Sequence, residues 1–356
     1  MLHKKVESRG GARWLKLAAV GALGVLALTF AVACGDSDED AETPSGPTNT
    51  PAPKLSGSIA IDGSSTVFPI TEAVAEEFRK VQSGVQVTVG IAGTGGGFSR
   101  FCNGETSISD ASRPISQKEI DACAAKGIDY VEIPVAYDGL AVVVNPQNTW
   151  AACLTVAELK TIWEPGAQGK VTNWNQVRSS FPDAPLKLYG PGTDSGTFDY
   201  FTEVINGKAK DSRGDYTASE DDNVLVQGVS SDKNALGYFG LAYLEENLSK
   251  LKDVKVDGGK GCVEPTAKTV TDGTYAPLSR PLFIYVKKAD SEKPEVKAFV
   301  DFYLKNAAKL SEEVGYVKFP DNFYPLIEKR WTTLKTGTMY ANAPAGSTLQ
   351  TLLSAP

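Results

Sequence analysis

Three short stretches of the chain join hydroxyl residues and glycines to the start of a helix: GSST at 63–66, GTGGG at 93–97 and DSGT at 194–197. Each stands between a segment of strand character and one of helical character. The first turn of a helix leaves backbone N–H groups without intrahelical partners and carries partial positive charge, so it can hold an anion. Glycine lets the backbone come close to a ligand, and a hydroxyl donates without adding charge. Any one of these turns serves equally well as a plain helix cap. Three of them on successive strand–helix units, at the carboxyl ends of the strands, point instead to a shared anion site.

Enzyme alternatives fail on spacing and on composition. A nucleophile elbow needs glycines two residues either side of its serine, and Ser195 has Thr193 and Thr197 there. In GTGGGFSR, Phe98 stands where a phosphate-binding P-loop needs lysine. The one histidine of the chain is His3, inside the leader described below. Ser-His-Asp and Cys-His catalysis and His-ligated metal sites are therefore excluded, and no metal ligand set is expected.

Charge refines the anion reading. Arg113, in ASRP, is the cation suited to planar, bidentate grip of an oxyanion. A carboxylate in such a cradle repels a fully deprotonated anion such as sulfate, but accepts the proton that phosphate still carries. Asp194 is the first candidate because it lies inside the hydroxyl-rich turn, with Asp62, Asp110 and Asp138 as alternatives.

The elements that must position these residues alternate, strand then helix, which favours an open α/β sheet. A strand at Ser58–Asp62 precedes a helix with Ile70, Val74 and Phe78 on one face. A second strand, Val85–Ile91, leads through the glycine-rich turn to a short helix from Phe98. Capping boxes at Ser116 with Glu119 and at Thr155 with Glu158 open two more helices, and Leu140–Val144 reads as an apolar strand. PLKLYGP precedes the third turn and a helix with Phe198, Phe201 and Ile205 on its apolar side. RPLFIYVKK is strongly β, and Val296, Phe299, Val300 and Tyr303 mark the face of a later helix. This order fits two domains, with the chain crossing over near Gly139–Asn145 and returning near Ser279–Phe283, so that the first is discontinuous.

The N-terminal segment carries targeting information. Residues 1–33 have a basic start and an apolar run from Leu17 to Ala33, shorter than a bilayer span, and read as a secretory signal. Ala33-Cys34 resembles a bacterial lipobox, which makes Cys34 the acylated N-terminus. Residues 34–55 are acidic and then rich in Pro, Thr and Ser, the composition of a disordered tether. The formal charge of −7 becomes −11 without the signal, whose five basic residues and Glu7 contribute +4. So negative a chain argues against nucleic acid or an anionic membrane surface as partner. Cys102, Cys123, Cys153 and Cys262 form an even set in an exported protein and read as two disulfides, with three pairings open.

Taken in order and spacing, DGSSTVFPITEAVAEEF, GTGGGFSRFCNGETSISDASRPI, VAYDGLAVVVN, LTVAELKTIWEPG, GPGTDSGTFDYF and PLSRPLFIYVK resemble the phosphate-binding lipoproteins of bacterial high-affinity phosphate ABC importers. The resemblance runs from about Ser58 to Trp331. It implies an α/β, two-lobed periplasmic-binding-protein fold of type II, each lobe a central β-sheet flanked by helices: residues 56–142 with 283–356 in one lobe, 143–282 in the other. It implies phosphate held by Ser65, Thr66 and Val67, with Thr94 and Gly95, Arg113 as the cation, and Ser195, Gly196 and Thr197 from the opposite lobe. Asp194 would accept the ligand's proton, and Ser64, Asp110 and Asp138 are further candidates. Several family members carry an Arg and an Asp just before the Ser-Gly-Thr turn, where this chain has Pro191 and Thr193 beside its Asp194. The lobes also favour pairing Cys102 with Cys123 and Cys153 with Cys262, so that neither bond obstructs closure. The implied protein is a monomer without cofactor or catalysis, lipid-anchored to the outer face of the cell membrane. It would deliver phosphate to the transmembrane permease subunits; a receptor for sulfate, molybdate or tungstate is the alternative.

Overall fold

The structure is a computed structural model that describes residues 54–344 and 347–355. The expected signal, Cys34 and nearly all of the tether lie outside the described residues.

Strand β1 (Gly57–Gly63) leads through the first hydroxyl turn to helix α1 (Phe68–Val81), which buries Ile70, Val74 and Phe78 as its periodicity requires. Strand β2 (Val85–Ile91) returns parallel to β1, Gly57 opposite Val85 and Gly63 opposite Ile91. Helix α2 (Gly93–Cys102) starts at Gly93 rather than Phe98, so the glycine-rich stretch is itself the first helical turn. Close packing is the reason. A Cβ on Gly97 would lie 2.5 Å from Gly63 Cα and 2.9 Å from the Ser109 hydroxyl, so only a bare backbone lets α2 rest on the sheet at that point. Strand β3 (Ile108–Ala111) pairs parallel with β1, and helix α3 (Gln117–Ala125) opens with the expected capping box, Ser116 N–H donating to Glu119 Oε2 at 2.8 Å.

Strand β4 (Tyr130–Val144) is ten residues longer than the Leu140–Val144 segment expected, and all fifteen of its residues are buried. The chain then forms β5 (Cys153–Thr155), α4 (Val156–Trp163), β6 (Lys187–Pro191), α5 (Gly196–Asn206), β7 (Thr217–Ser219) and α6 (Asp222–Ser231). Next come β8 (Ala235–Gly240), α7 (Leu241–Glu246), β9 (Lys252–Asp253), β10 (Lys255–Asp257), β11 (Cys262–Val263) and α8 (Ala267–Thr271). Strand β12 (Ser279–Lys287) and helices α9 (Pro294–Glu313), α10 (Tyr324–Thr332) and α11 (Leu349–Leu353) complete the order.

The strand path β2-β1-β3-β12-β4-β8-β6-β7 explains the length of β4. Its first part, Tyr130 to Gly139, pairs antiparallel with β12, and Leu140 to Val144 pair antiparallel with β8. One strand therefore serves two sheets, and β12 runs beside it back into the first, which makes the molecule two-lobed. The buried apolar residues of both lobes form one continuous cluster. In the first, Phe78 of α1 meets Phe299 of α9 edge-on at 5.3 Å; in the second, Phe201 of α5 stacks on Tyr238 of β8 at 3.7 Å and Trp163 sits against Tyr238 at 4.9 Å. Disulfides join Cys102 to Cys123, across α2 and α3, and Cys153 to Cys262, across the small β11-β10-β5 sheet. Among the described residues no helix is long and apolar enough to cross a membrane.

Candidate oxyanion-binding site

The parallel strands of the first lobe end together, and the segments that follow them meet at a cavity of about 210 Å³. The turn after β1 brings Ser64, Ser65 and Thr66, the start of α2 brings Gly93, Thr94 and Gly95, and the turn after β3 brings Ser112 and Arg113. Helix α5 of the second lobe contributes Asp199, Tyr200 and Glu203, and β12 contributes Arg280. Two of the three hydroxyl turns thus line one cavity.

The hydroxyls are held in place by one another and by the backbone. Thr94 Oγ1 lies 3.0 Å from Ser112 Oγ and accepts from Ser112 N–H at 3.2 Å. Ser64 N–H donates to the Asp110 carbonyl at 3.0 Å, and Thr66 N–H donates to Ser64 Oγ at 3.2 Å. Tyr316 OH donates to the Thr66 carbonyl at 2.6 Å, fixing the turn from behind. Val67 is fully buried and its N–H donates to the Ser64 carbonyl at 3.2 Å, inside the turn.

The lobes meet at the third turn. Thr66 Oγ1 donates to the Gly196 carbonyl at 3.3 Å, and Ser65 Oγ donates to Asp199 Oδ2 at 3.5 Å. Ser195 caps α5, its Oγ accepting from Thr197 N–H at 3.1 Å. Asp194, the acid expected to face the ligand, does not line the cavity; it is exposed, and its N–H donates to Glu220 Oε1 at 3.3 Å. The helix begins after Asp194, so the residue is carried outward while Asp199, one turn further on, faces inward.

Two arginines line the cavity, and each is matched by acid. Arg113 makes a bidentate pair with Glu119, both N–O distances 2.8 Å, which fixes its plane. Arg280 was not singled out from the sequence. Its Nε stands 3.4 Å from Asp138 Oδ2, its Nη1 3.9 Å from Glu203, its Nη2 donates to Thr66 Oγ1 at 3.1 Å, and its guanidinium lies over the Tyr200 ring at 3.5 Å. A signal was present: Ser279-Arg280-Pro281 repeats the Ser112-Arg113-Pro114 tripeptide. What the sequence lacked was the register, in which Arg280 faces Asp138 across β12 and β4.

The buried acids differ in their surroundings. Asp138 sits behind Arg280; burial pushes its carboxyl up and Arg280 opposes the shift. Asp110, on β3 beneath the first turn, is wholly buried, and neither of its oxygens has a hydrogen-bond partner among the described residues. Burial pushes it up to about 8; the Thr71 hydroxyl works against the shift and the Asp62 carboxylate adds to it. Asp62 is itself paired with Arg100. Neither Asp110 nor Asp138 lines the cavity.

A two-lobed α/β body with a small polar cavity where its lobes meet is the architecture of the periplasmic-binding proteins, and the chain belongs to that superfamily: the family model described as PBP superfamily domain matches residues 48–307. Among its relatives, Protein SphX of Synechococcus elongatus is 54% identical over 83% of this chain and 88% of its own length. Phosphate-binding protein PstS of Staphylococcus haemolyticus is 40% identical over 82% of this chain and 89% of its own. The crystal structure of a possible phosphate binding protein from Planctomyces limnophilus superposes with a TM-score of 0.76 at 56% identity, covering 79% of this chain and 99% of that one. An ABC-type phosphate transport receptor from Vibrio cholerae superposes with a TM-score of 0.58 at 25% identity, covering 73% and 99%.

Proposed function

We propose that this chain binds inorganic phosphate between its two lobes and presents it to the transmembrane subunits of an ABC importer, without converting it. The observation that carries this reading is the lining of the cavity: five Ser and Thr hydroxyls and two guanidiniums converge on a space of about 210 Å³. The names of the relatives support the choice of ligand. In this reading the lobes are residues 56–142 with 283–356, and 143–282. Ser64, Ser65, Thr66, Thr94, Gly95 and Arg113 hold the anion from the first; Ser195, Gly196 and Thr197 close on it from the second, and Arg280 adds a second cation beside Arg113. The protein acts as a monomer, exported and anchored to the outer face of the cell membrane through a lipid on Cys34, with residues 34–55 as its tether.

Titration calorimetry of the signal-free chain tests the ligand. Phosphate is expected to saturate one site per chain and sulfate to leave that titration unchanged; tight sulfate binding with no heat from phosphate would replace phosphate by another tetrahedral oxyanion. Mass spectrometry of the N-terminal peptide from the membrane fraction is expected to find Cys34 acylated.

A further inference from the structure

We propose that Glu132, which lies outside the cavity, is a positioning residue of the oxyanion site: through the Tyr285 hydroxyl it fixes the turn that carries Arg113, and it ties that turn to the C-terminal segment at Thr338 and Met339. The proposal rests on the oxyanion reading above and goes beyond it. Glu132 and Tyr285 are direct cross-strand partners on β4 and β12, and both are wholly buried. Tyr285 OH donates to Glu132 Oε2 at 2.6 Å and accepts from Ile115 N–H at 2.9 Å. Ile115 is two residues beyond Arg113, and Pro114 between them has no N–H to give. From the other side, Thr338 Oγ1 donates to Glu132 Oε2 at 2.6 Å and Met339 N–H donates to Oε1 at 2.7 Å. Arg330, also buried, holds the same segment: its Nε donates to the Glu132 carbonyl at 2.7 Å and its Nη2 to the Gly337 carbonyl.

The direction of the relay follows from the donor count. A phenol has one proton, and Glu132 takes that of Tyr285, which leaves the phenol oxygen free to accept from Ile115 N–H. Without the carboxyl the hydroxyl can turn its proton elsewhere, and without the hydroxyl a buried backbone N–H loses its acceptor, so the turn must shift to find another. Burial pushes the Glu132 carboxyl up, while the Thr338, Tyr285 and Met339 donors and Arg330 oppose the shift. The Tyr285 ring supports the same wall of the site, since Phe98 of α2 packs edge-on against it at 4.8 Å and the Arg113 guanidinium lies over Phe98 at 5.8 Å. Glu132, Tyr285, Thr338 and Met339 all stand outside the lining of the cavity. A binding group is only as well placed as the shell that supports it, and here that shell reaches from Arg113 to the end of the chain.

The test combines phosphate titration calorimetry with urea unfolding on the signal-free chain and on Tyr285→Phe, Glu132→Gln, Thr338→Val and Thr338→Ser. Tyr285→Phe keeps the ring and its packing and removes only the hydroxyl. It, Glu132→Gln and Thr338→Val are each expected to weaken phosphate binding about fivefold or more, and Thr338→Ser, which keeps a hydroxyl, to bind as wild type does. In an Arg113→Ala background, Tyr285→Phe is expected to cost less than about twofold, because the group it positions is already gone. Folded Tyr285→Phe or Thr338→Val protein within about twofold of wild type overturns the proposal, and so does an undiminished loss in the Arg113→Ala background. A purely structural role would lower the urea midpoint and leave affinity unchanged. Thr338 is half-buried, so its two variants decide the outcome if those at Glu132 and Tyr285 do not fold. Absence of phosphate binding by wild type would instead overturn the oxyanion reading itself, and the proposal with it.

Discussion

Arg280 and Asp138 are direct cross-strand partners on β12 and β4, with Nε 3.4 Å from Oδ2, at the place where both strands pass from one lobe to the other. The pair is nearly dry, with side-chain exposures of 12% and 4%. Removing one partner of a buried ion pair leaves an uncompensated charge, at about 3–5 kcal/mol, whereas replacing both is often tolerated. Arg280→Met is therefore expected to lower the denaturant midpoint strongly, and Arg280→Met with Asp138→Asn to recover most of it. Phosphate binding should remain lost in both, a separation of stability from affinity that calorimetry and urea unfolding together would detect.

The two arginines should not be worth the same. Arg113 is locked to Glu119 and half-buried, while Arg280 touches Thr66 and Tyr200 and reaches both lobes. A hydrogen bond to a charged group contributes about 1.5–3 kcal/mol, roughly a ten- to hundredfold change in affinity. Arg113→Ala is expected near the lower bound and Arg280→Ala at or beyond the upper, each acting alike on every oxyanion tested.

Closure depends on a position without a side chain. A Cβ on Gly196 would lie 2.7 Å from both Thr66 Cα and Thr66 N, contacts that this approach of the two lobes does not sustain. Gly196→Ala should leave the melting temperature unchanged or slightly raised, since alanine favours helix. Phosphate affinity should fall at least tenfold, and small-angle scattering should show an enlarged radius of gyration that phosphate no longer reduces.

Asp110 should make stability depend on pH. Its folded value of about 8 lies far above the ordinary carboxylate value of 3.8, chiefly through burial. The folded state then holds a proton that the unfolded state has released, so this contribution is fully present below about pH 4 and declines as pH climbs towards 8. Linkage sets the slope at about 1.4 kcal/mol per pH unit within that window. Urea unfolding from pH 5 to pH 8 should show this decline in wild type and a flatter profile in Asp110→Asn.

The disulfides close loops of different size, with sequence separations of 109 for Cys153–Cys262 and 21 for Cys102–Cys123. On the chain-entropy model the longer crosslink is worth about 4.7 kcal/mol and the shorter about 3 kcal/mol. Cys153→Ala with Cys262→Ala should accordingly lower the melting temperature more than Cys102→Ala with Cys123→Ala. Both variants should still bind phosphate, because no cysteine lines the cavity.

Local pattern was enough to read much of this protein. The 3.6-residue spacing of Ile70, Val74 and Phe78, the Ser116–Glu119 and Thr155–Glu158 boxes and the alternating β2 each depend on neighbours in the chain, and each is found in the structure. The hydroxyl turns after β1 and at the start of α2 were legible for the same reason. Long-range pairing was not. Whether β4 spans two sheets, which residue lies opposite Arg280, and which face of α5 looks into the cavity are decided by register and by helix phase across more than a hundred residues. So Asp194, in the most suggestive stretch of sequence, ends at the surface, and Asp199, an unremarked acid between two aromatics, ends against Ser65. Residue type and spacing determined which hydroxyl turns end at one cavity; packing of one lobe on the other decided which charges face it, because burial and hydrogen-bond partnership belong to the folded chain and not to any segment of it.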